Sequence, residues 1–265
     1  MLGTIVGDIA GSRFEFRNHK SKEFDFLVNN CFPTDDTIMS LAIASAILMS
    51  DANYKDLGPN ATKCMQTFGR KYPYSGYGKS FSEWIFSDNP QPYNSWGNGA
   101  AMRISPVGFV AKDIDEVKRL SKAVTEVTHN HAEGLKGAEA TAVAIFLARK
   151  GWDKNKIKKY IVDNYYNIDF TLDDIREDYK FHVSCQKSVP QALEAFFEST
   201  SFEDAIRNAI SIGGDSDTIA AITGGVAEAY YGIPNDIQKK TKGYLDNHLL
   251  EILNLFENNI NNYCK

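Results

Sequence analysis

The stretch Thr34-Asp35-Asp36-Thr37-Ile38-Met39-Ser40-Leu41-Ala42-Ile43-Ala44-Ser45-Ala46-Ile47-Leu48-Met49 decides the fold class. It opens on hydroxyls and acids, whose oxygens accept hydrogen bonds from the free amides of a first helical turn. From Ile38 to Met49 it is apolar nearly all round, and a helix with no polar face belongs in the middle of a large protein. A second stretch, Gly214-Asp215-Ser216-Asp217-Thr218-Ile219, has the same local pattern and opens the apolar run Ala220 to Tyr231. Gly137 to Arg149 is a third segment of this kind. Around these three, amphipathic stripes recur at helical spacing. Ser201 caps one that runs Phe202, Ala205, Ile206, Ala209, Ile210. The others are Ile114, Val117, Ser121, Val124, Val127 and Leu245, Leu249, Ile252, Leu253, Phe256. Alternating patterns are scarce, and Tyr179 to Val183 is the best short strand. The reading is an all-α, single-domain protein over residues 1–265, with central helices ringed by amphipathic ones.

Composition sets limits on function. With 265 residues, 43% of them hydrophobic, the chain can bury a large core. Its 29 basic and 34 acidic residues leave a net charge of −5, which argues against a broad nucleic-acid footprint. The basic run Lys154 to Lys159 reads as the solvated face of a helix. The start, Met1 to Asp8, lacks a basic leader and is not a signal peptide. The apolar run Ile38 to Met49 is too short to span a bilayer. Cysteines at 31, 64, 185 and 264 form no close pair, so neither a disulfide framework nor a zinc site is suggested. The expectation is a soluble, cytoplasmic monomer.

The chemistry is concentrated in few places. Two carboxylates within three residues, used twice, exceed what two helix caps need. Hard oxygen donors suit Mg²⁺, Mn²⁺ or Ca²⁺ rather than Zn²⁺. If the clusters meet, they could hold two ions, a working unit of hydrolytic catalysis. Gly3, Gly7 and Gly11, four residues apart, form a smooth stripe for close helix packing, and Glu15 follows at the next step. Tyr72 to Pro106 is the longest irregular stretch, and long ordered loops commonly carry function. Within it, Gly97-Asn98-Gly99-Ala100-Ala101-Met102-Arg103 is either a turn or a loop of bare amides that can cradle phosphate oxygens. Thr128-His129-Asn130-His131 is a polar island, read either as ligand contacts or as satisfied structural histidines.

These motifs, in this order, resemble the ADP-ribosylglycohydrolase family, which includes the dinitrogen-reductase-activating glycohydrolase and the ADP-ribosylarginine and ADP-ribosylserine hydrolases. The resemblance runs from about residue 1 to residue 233. It implies an orthogonal multi-helix bundle with its site at converging helix N-termini, and two divalent cations, Mg²⁺ or Mn²⁺. By matching motifs, Thr34, Asp35 and Asp36 would bind metal from one side, and Asp215, Asp217 and Thr218 from the other. Glu15, Asp36 and Asp217 would carry the chemistry. Gly97, Asn98, Gly99, Ala100, Met102 and His129, with Tyr77 and Gly78, would hold ADP-ribose. The implied reaction frees ADP-ribose from an acceptor on a protein or small molecule, arginine first by family frequency. Two other readings compete: a two-metal phosphoesterase acting on a nucleotide, and a non-catalytic ADP-ribose binder.

Overall fold

A computed structural model describes residues 1–263, and among them there are fifteen α-helices and no strand. Three of the helices are those expected at the centre: α2 (Asp35–Met49), α8 (Ala132–Arg149) and α13 (Ser216–Tyr231). In each the apolar run is buried on every side for most of its length, and α2 and α13 open to solvent at their last residues. A fourth, α1 (Leu2–Gly11), is also wholly buried. The glycine stripe explains why. A Cβ on Gly7 would stand 2.0 Å from the carbonyl oxygen of Ala220, and one on Gly11 would stand 2.5 Å from Cα of Asp217. No side chain fits such gaps, so bare glycine lets the backbones of α1 and α13 lie directly against each other.

Around this centre stand amphipathic helices. α3 (Leu57–Lys71) packs on α2, and α4 (Lys79–Phe86) on α3. Two short helices, α5 (Gly99–Met102) and α6 (Ser105–Val110), lead to α7 (Ile114–Thr125), which rests on α8. Next come α9 (Lys154–Asn164), α10 (Leu172–Ile175), α11 (Cys185–Phe197) and α12 (Phe202–Ser211). The last two are α14 (Asn235–Lys242) and α15 (Asn247–Tyr263). Ser201 caps α12 as expected, its side chain accepting from the amide of Asp204. The run Lys154 to Lys159 lies on α9, where Lys159 pairs with Asp163 at the surface. Among the described residues no helix is long and apolar enough to cross a membrane.

Some expectations are corrected. Tyr179 to Val183 is not a strand, and the only β feature near it is a single bridge between Gly97 and Ser184. A strand would put Tyr179, Phe181 and Val183 on one face, but Tyr179 is turned inward while the other two stand exposed, and no neighbouring strand offers a ladder. Tyr72 to Pro106 is less irregular than it reads, since α4, α5 and the start of α6 fall within it. Val127 lies past the end of α7, and Leu245 before the start of α15.

Candidate active site

The N-termini of α2 and α13 converge on one cavity of about 660 Å³. α2 is presented by α1. The carboxylate of Asp8, fully buried on α1, accepts from Thr34 N at 2.9 Å, Thr34 Oγ1 at 2.6 Å and Thr37 N at 3.0 Å. Thr34 Oγ1 in turn accepts from Asp36 N at 3.4 Å as the cap of α2. α13 is presented by two glycines in the left-handed region, Gly213 (φ 68°) and Gly214 (φ 75°). A Cβ on Gly213 would sit 2.2 Å from Asn18 Oδ1, an atom that accepts from Gly214 N at 3.0 Å. This turn delivers Asp215 to the start of α13, where Asn98 Nδ2 donates to its Oδ2 at 2.7 Å.

Side-chain oxygens gather into two groups of three carboxylates: Asp8, Asp36, Asp217 and Glu15, Asp215, Asp217. In each group the oxygens lie within 4.8 Å of one another, and Asp217 belongs to both. Thr218 Oγ1 bridges the two helices by donating to Asp36 Oδ2 at 3.3 Å. Such crowding works against ionisation. Burial, followed by the charges of Asp8, Asp35 and Asp215, holds Asp36 well above the ordinary carboxylate range. Asp217 is raised in the same way, by burial and then by Asp215, Asp36, Glu15 and Asp8. Glu15, half-buried at the mouth, is pushed up to about 7 by burial and then by Asp215. Asp36 Oδ1 is buried with no hydrogen-bond partner. An all-oxygen donor set, mutual repulsion and one orphaned acceptor together fit hard divalent cations.

The sequence-predicted residues divide three ways. Asp36, Asp215, Asp217 and Glu15 meet in the carboxylate groups, and Thr218 joins them through its bond to Asp36. Asp35 lies apart from both groups on the cavity wall, its Oδ1 facing Gly76, and it too is raised by burial and neighbouring acids. Gly78, Gly97, Asn98, Gly99, Met102 and His129 also line the wall. Thr34, Ala100 and Tyr77 stand behind it: Thr34 and Ala100 are buried, and Tyr77 packs edge-on against Phe81 at 5.7 Å.

Of the two readings of the glycine loop, the turn is nearer to what the structure has. The amide of Asn98 donates to Val183 O at 2.8 Å, those of Ala100, Ala101 and Met102 donate to loop carbonyls, and that of Gly97 donates to Ser95 Oγ. It is a tight turn more than a nest of bare amides. His131 caps α8 by accepting from Glu133 N at 3.0 Å, while His129 faces the cavity.

Asp8 was missed by sequence reading. Its signal was present, a lone acid one position after Gly7 in an otherwise uncharged helix, but the acid read as the end of an apolar start. Arg103 reads in the sequence only as the end of the loop. It lies beneath the cavity floor at 1% exposure, with its guanidinium over the Phe81 ring.

Comparison with known proteins defines the class. A sequence model of the ADP-ribosylglycohydrolase family matches residues 1–262. The chain is 26% identical to the ADP-ribosylhydrolase ARH3 of Xenopus tropicalis, over 93% of this chain and 91% of that protein. It is 23% identical to the ADP-ribosylhydrolase ARH3 of Homo sapiens, over 94% and 90%. Among solved structures, an ADP-ribosylglycohydrolase-related protein complex shares the fold with a TM-score of 0.71 at 22% identity, covering 95% of this chain and 93% of that one. The protein is thus an enzyme of the glycohydrolase class. It belongs to the ADP-ribosylglycohydrolase family.

Proposed function

We propose that this enzyme hydrolyses the N- or O-glycosidic bond joining ADP-ribose to an acceptor, with two divalent cations, Mg²⁺ or Mn²⁺, as cofactors. The observation that carries the reading is the pair of carboxylate groups sharing Asp217 at the base of a cavity whose wall includes the glycine loop and His129. Asp8, Asp36, Asp215 and Asp217 would hold the cations, with Asp35 and Thr218 contributing at the edge and Thr34 fixing Asp8 from behind the wall. When bound, the cations neutralise the crowded acids and supply Lewis-acid polarisation of the ribose hydroxyls and of water.

The chain's own groups do the rest. Glu15 stands beside Asp215 and Asp217 on the cavity wall, where a carboxylate can accept a proton from water. It takes a proton from the water that attacks the anomeric carbon. The bond to the acceptor breaks, its electron pair leaves with the acceptor atom, and that atom takes up a proton, which balances the one Glu15 accepts from water. Charge on the oxocarbenium-like carbon is stabilised by the nearby carboxylates, as in other glycosidases. Asn98 holds Asp215 in place through its hydrogen bond. The cavity wall of Gly78, Gly97, Gly99, Met102 and His129 takes the nucleotide portion.

The deciding experiment is a panel of defined ADP-ribosylated acceptors, an arginine peptide first, then a serine peptide, a small molecule and a nucleic-acid base. Free ADP-ribose establishes glycosidic cleavage and the preferred acceptor. AMP would instead mean a phosphoesterase, and tight binding without turnover in Mg²⁺ or Mn²⁺ would mean a non-catalytic ADP-ribose binder.

A further inference from the structure

Arg103, Thr128 and His129 form a buried chain beneath the cavity wall. Arg103 Nη2 donates to Thr128 Oγ1 at 2.6 Å and lies 3.4 Å from His129 Nδ1. Thr128 Oγ1 is 2.8 Å from the same Nδ1. All three residues are at 5% exposure or less. On its far side His129 places Nε2 against the glycine loop. That atom is 3.4 Å from where a Cβ on Gly97 would stand and 3.5 Å from the same point on Gly99.

The direction of the Thr128 hydroxyl follows from counting acceptors. Its alternative partner, Thr125 O at 3.3 Å, already accepts from Thr128 N at 3.1 Å and from His129 N at 2.9 Å. A carbonyl has two lone pairs, and both are engaged. The hydroxyl proton therefore points to Nδ1, which is also the nearer atom. Arg103 carries only donors. Its proximity disfavours a second proton on the side of the ring that faces it. Burial, and then the charge of Arg103, holds the His129 imidazole well below its usual pKa, so the ring is neutral.

We propose that Arg103 and Thr128 are positioning residues that lock His129 as the Nε2–H tautomer, a neutral hydrogen-bond donor aimed at an oxygen atom of the bound nucleotide. This rests on the ADP-ribose reading for the identity of the ligand, but the tautomer itself does not depend on it. The glycine loop gives the amides of Asn98, Ala100, Ala101 and Met102 to protein carbonyls and that of Gly97 to Ser95 Oγ. The imidazole N–H therefore adds a donor where most of the loop's own amides are taken.

The tautomer is read in the full-length chain labelled with ¹⁵N-histidine, with a His129→Asn variant used only to assign the signal. The expected spectrum shows Nδ1 bare and Nε2 protonated in the wild type without ligand. The same state should persist in Thr128→Ser, and in Thr128→Val it should give way to a tautomer mixture. Titration with ADP-ribose should show Thr128→Val weakened about tenfold, the worth of one hydrogen bond, and Thr128→Ser within about twofold. A wild-type ring protonated at Nδ1, or at both nitrogens, overturns the proposal, and that spectrum decides even if Thr128→Val does not fold. A folded Thr128→Val that keeps both tautomer and affinity overturns it as well. If the wild type shows the expected tautomer but binds no ADP-ribose, the ligand reading fails and the lock stands.

Discussion

Asp8 accepts both the amide and the hydroxyl of Thr34, at 2.9 and 2.6 Å, and so a side chain of one central helix starts another. The arrangement joins packing to chemistry. Gly7 and Gly11 seat α1 on α13, and Asp8, between them in sequence, reaches sideways to the first turn of α2. The three helices that position the acids are therefore mutually referenced. Asp8→Ala strands three donors in the interior, the Thr34 amide and hydroxyl and the Thr37 amide. Urea unfolding of the metal-free protein should show a loss of about 2–3 kcal/mol, allowing for some relief of acidic repulsion. An unchanged midpoint would show that these bonds contribute nothing.

Metal removal should abolish turnover. Carboxylates held protonated or apart by mutual repulsion gain most from a cation, so EDTA should silence the enzyme and Mg²⁺ or Mn²⁺ should restore it. Binding to the folded state alone also stabilises by mass action, about 2.7 kcal/mol at a hundredfold excess over Kd. The melting temperature should accordingly climb with added metal. Full activity in a demonstrably metal-free sample would falsify the cation reading.

Asp217→Asn isolates the acid common to both groups. Its side chain sits in the first turn of α13, where Asn keeps the size and much of the polarity of Asp. The metal-free stability should change by less than about 1 kcal/mol. Turnover and the metal-induced rise in melting temperature should both be largely lost, because a charged ligand has become neutral. A variant that turns over like the wild type would reduce Asp217 to a structural residue.

Glu15→Gln should separate chemistry from binding. The residue is half-buried at the mouth and no backbone depends on it. ADP-ribose affinity should stay within roughly tenfold, about 1.4 kcal/mol. Single-turnover rates should fall on the order of a hundredfold, as when a general base is removed. Calorimetry and single-turnover assays on one preparation decide the matter. Equal losses in both would make Glu15 a binding residue.

Gly7→Ala tests the helix contact. Its new methyl would meet the Ala220 carbonyl at 2.0 Å, and backbone cannot yield as a flexible side chain can. The cost should be at least about 3 kcal/mol, at the upper end of overpacking. Gly78→Ala is the control, since nothing lies within 4 Å of its would-be Cβ and its φ of −60° is open to any residue. Similar melting curves for the two variants would mean that α1 and α13 are less closely seated than described.

Much of the architecture was legible in particular residues. The apolar runs after Asp36 and Thr218 showed two central helices, because a helix without a polar face cannot stand in water. The spacing of Gly3, Gly7 and Gly11 showed a close-packed face, though not which helix it meets. Ser201 before Phe202 showed a cap. The acids at 35, 36, 215 and 217 showed hard-donor chemistry by type and repetition.

What lay outside the sequence was every relation between distant segments. Asp8 reads as one acid in a short uncharged helix, and only the α1–α13 contact turns it toward Thr34 and Asp217. Asp35 and Asp36 are neighbours in sequence, yet successive helical side chains point about 100° apart, so only Asp36 enters a carboxylate group. The loop at Gly97 looked rich in free amides because local spacing cannot reveal that Val183 O, from a remote segment, takes one of them. Thr128, His129 and Arg103 likewise become one unit only when the turn after α7 folds over the end of α5. Composition and period specify which faces must be buried. Which donors and acceptors those buried faces share is decided by the packing, since a hydrogen bond needs its partner within about 3 Å and that distance exists only in the folded chain.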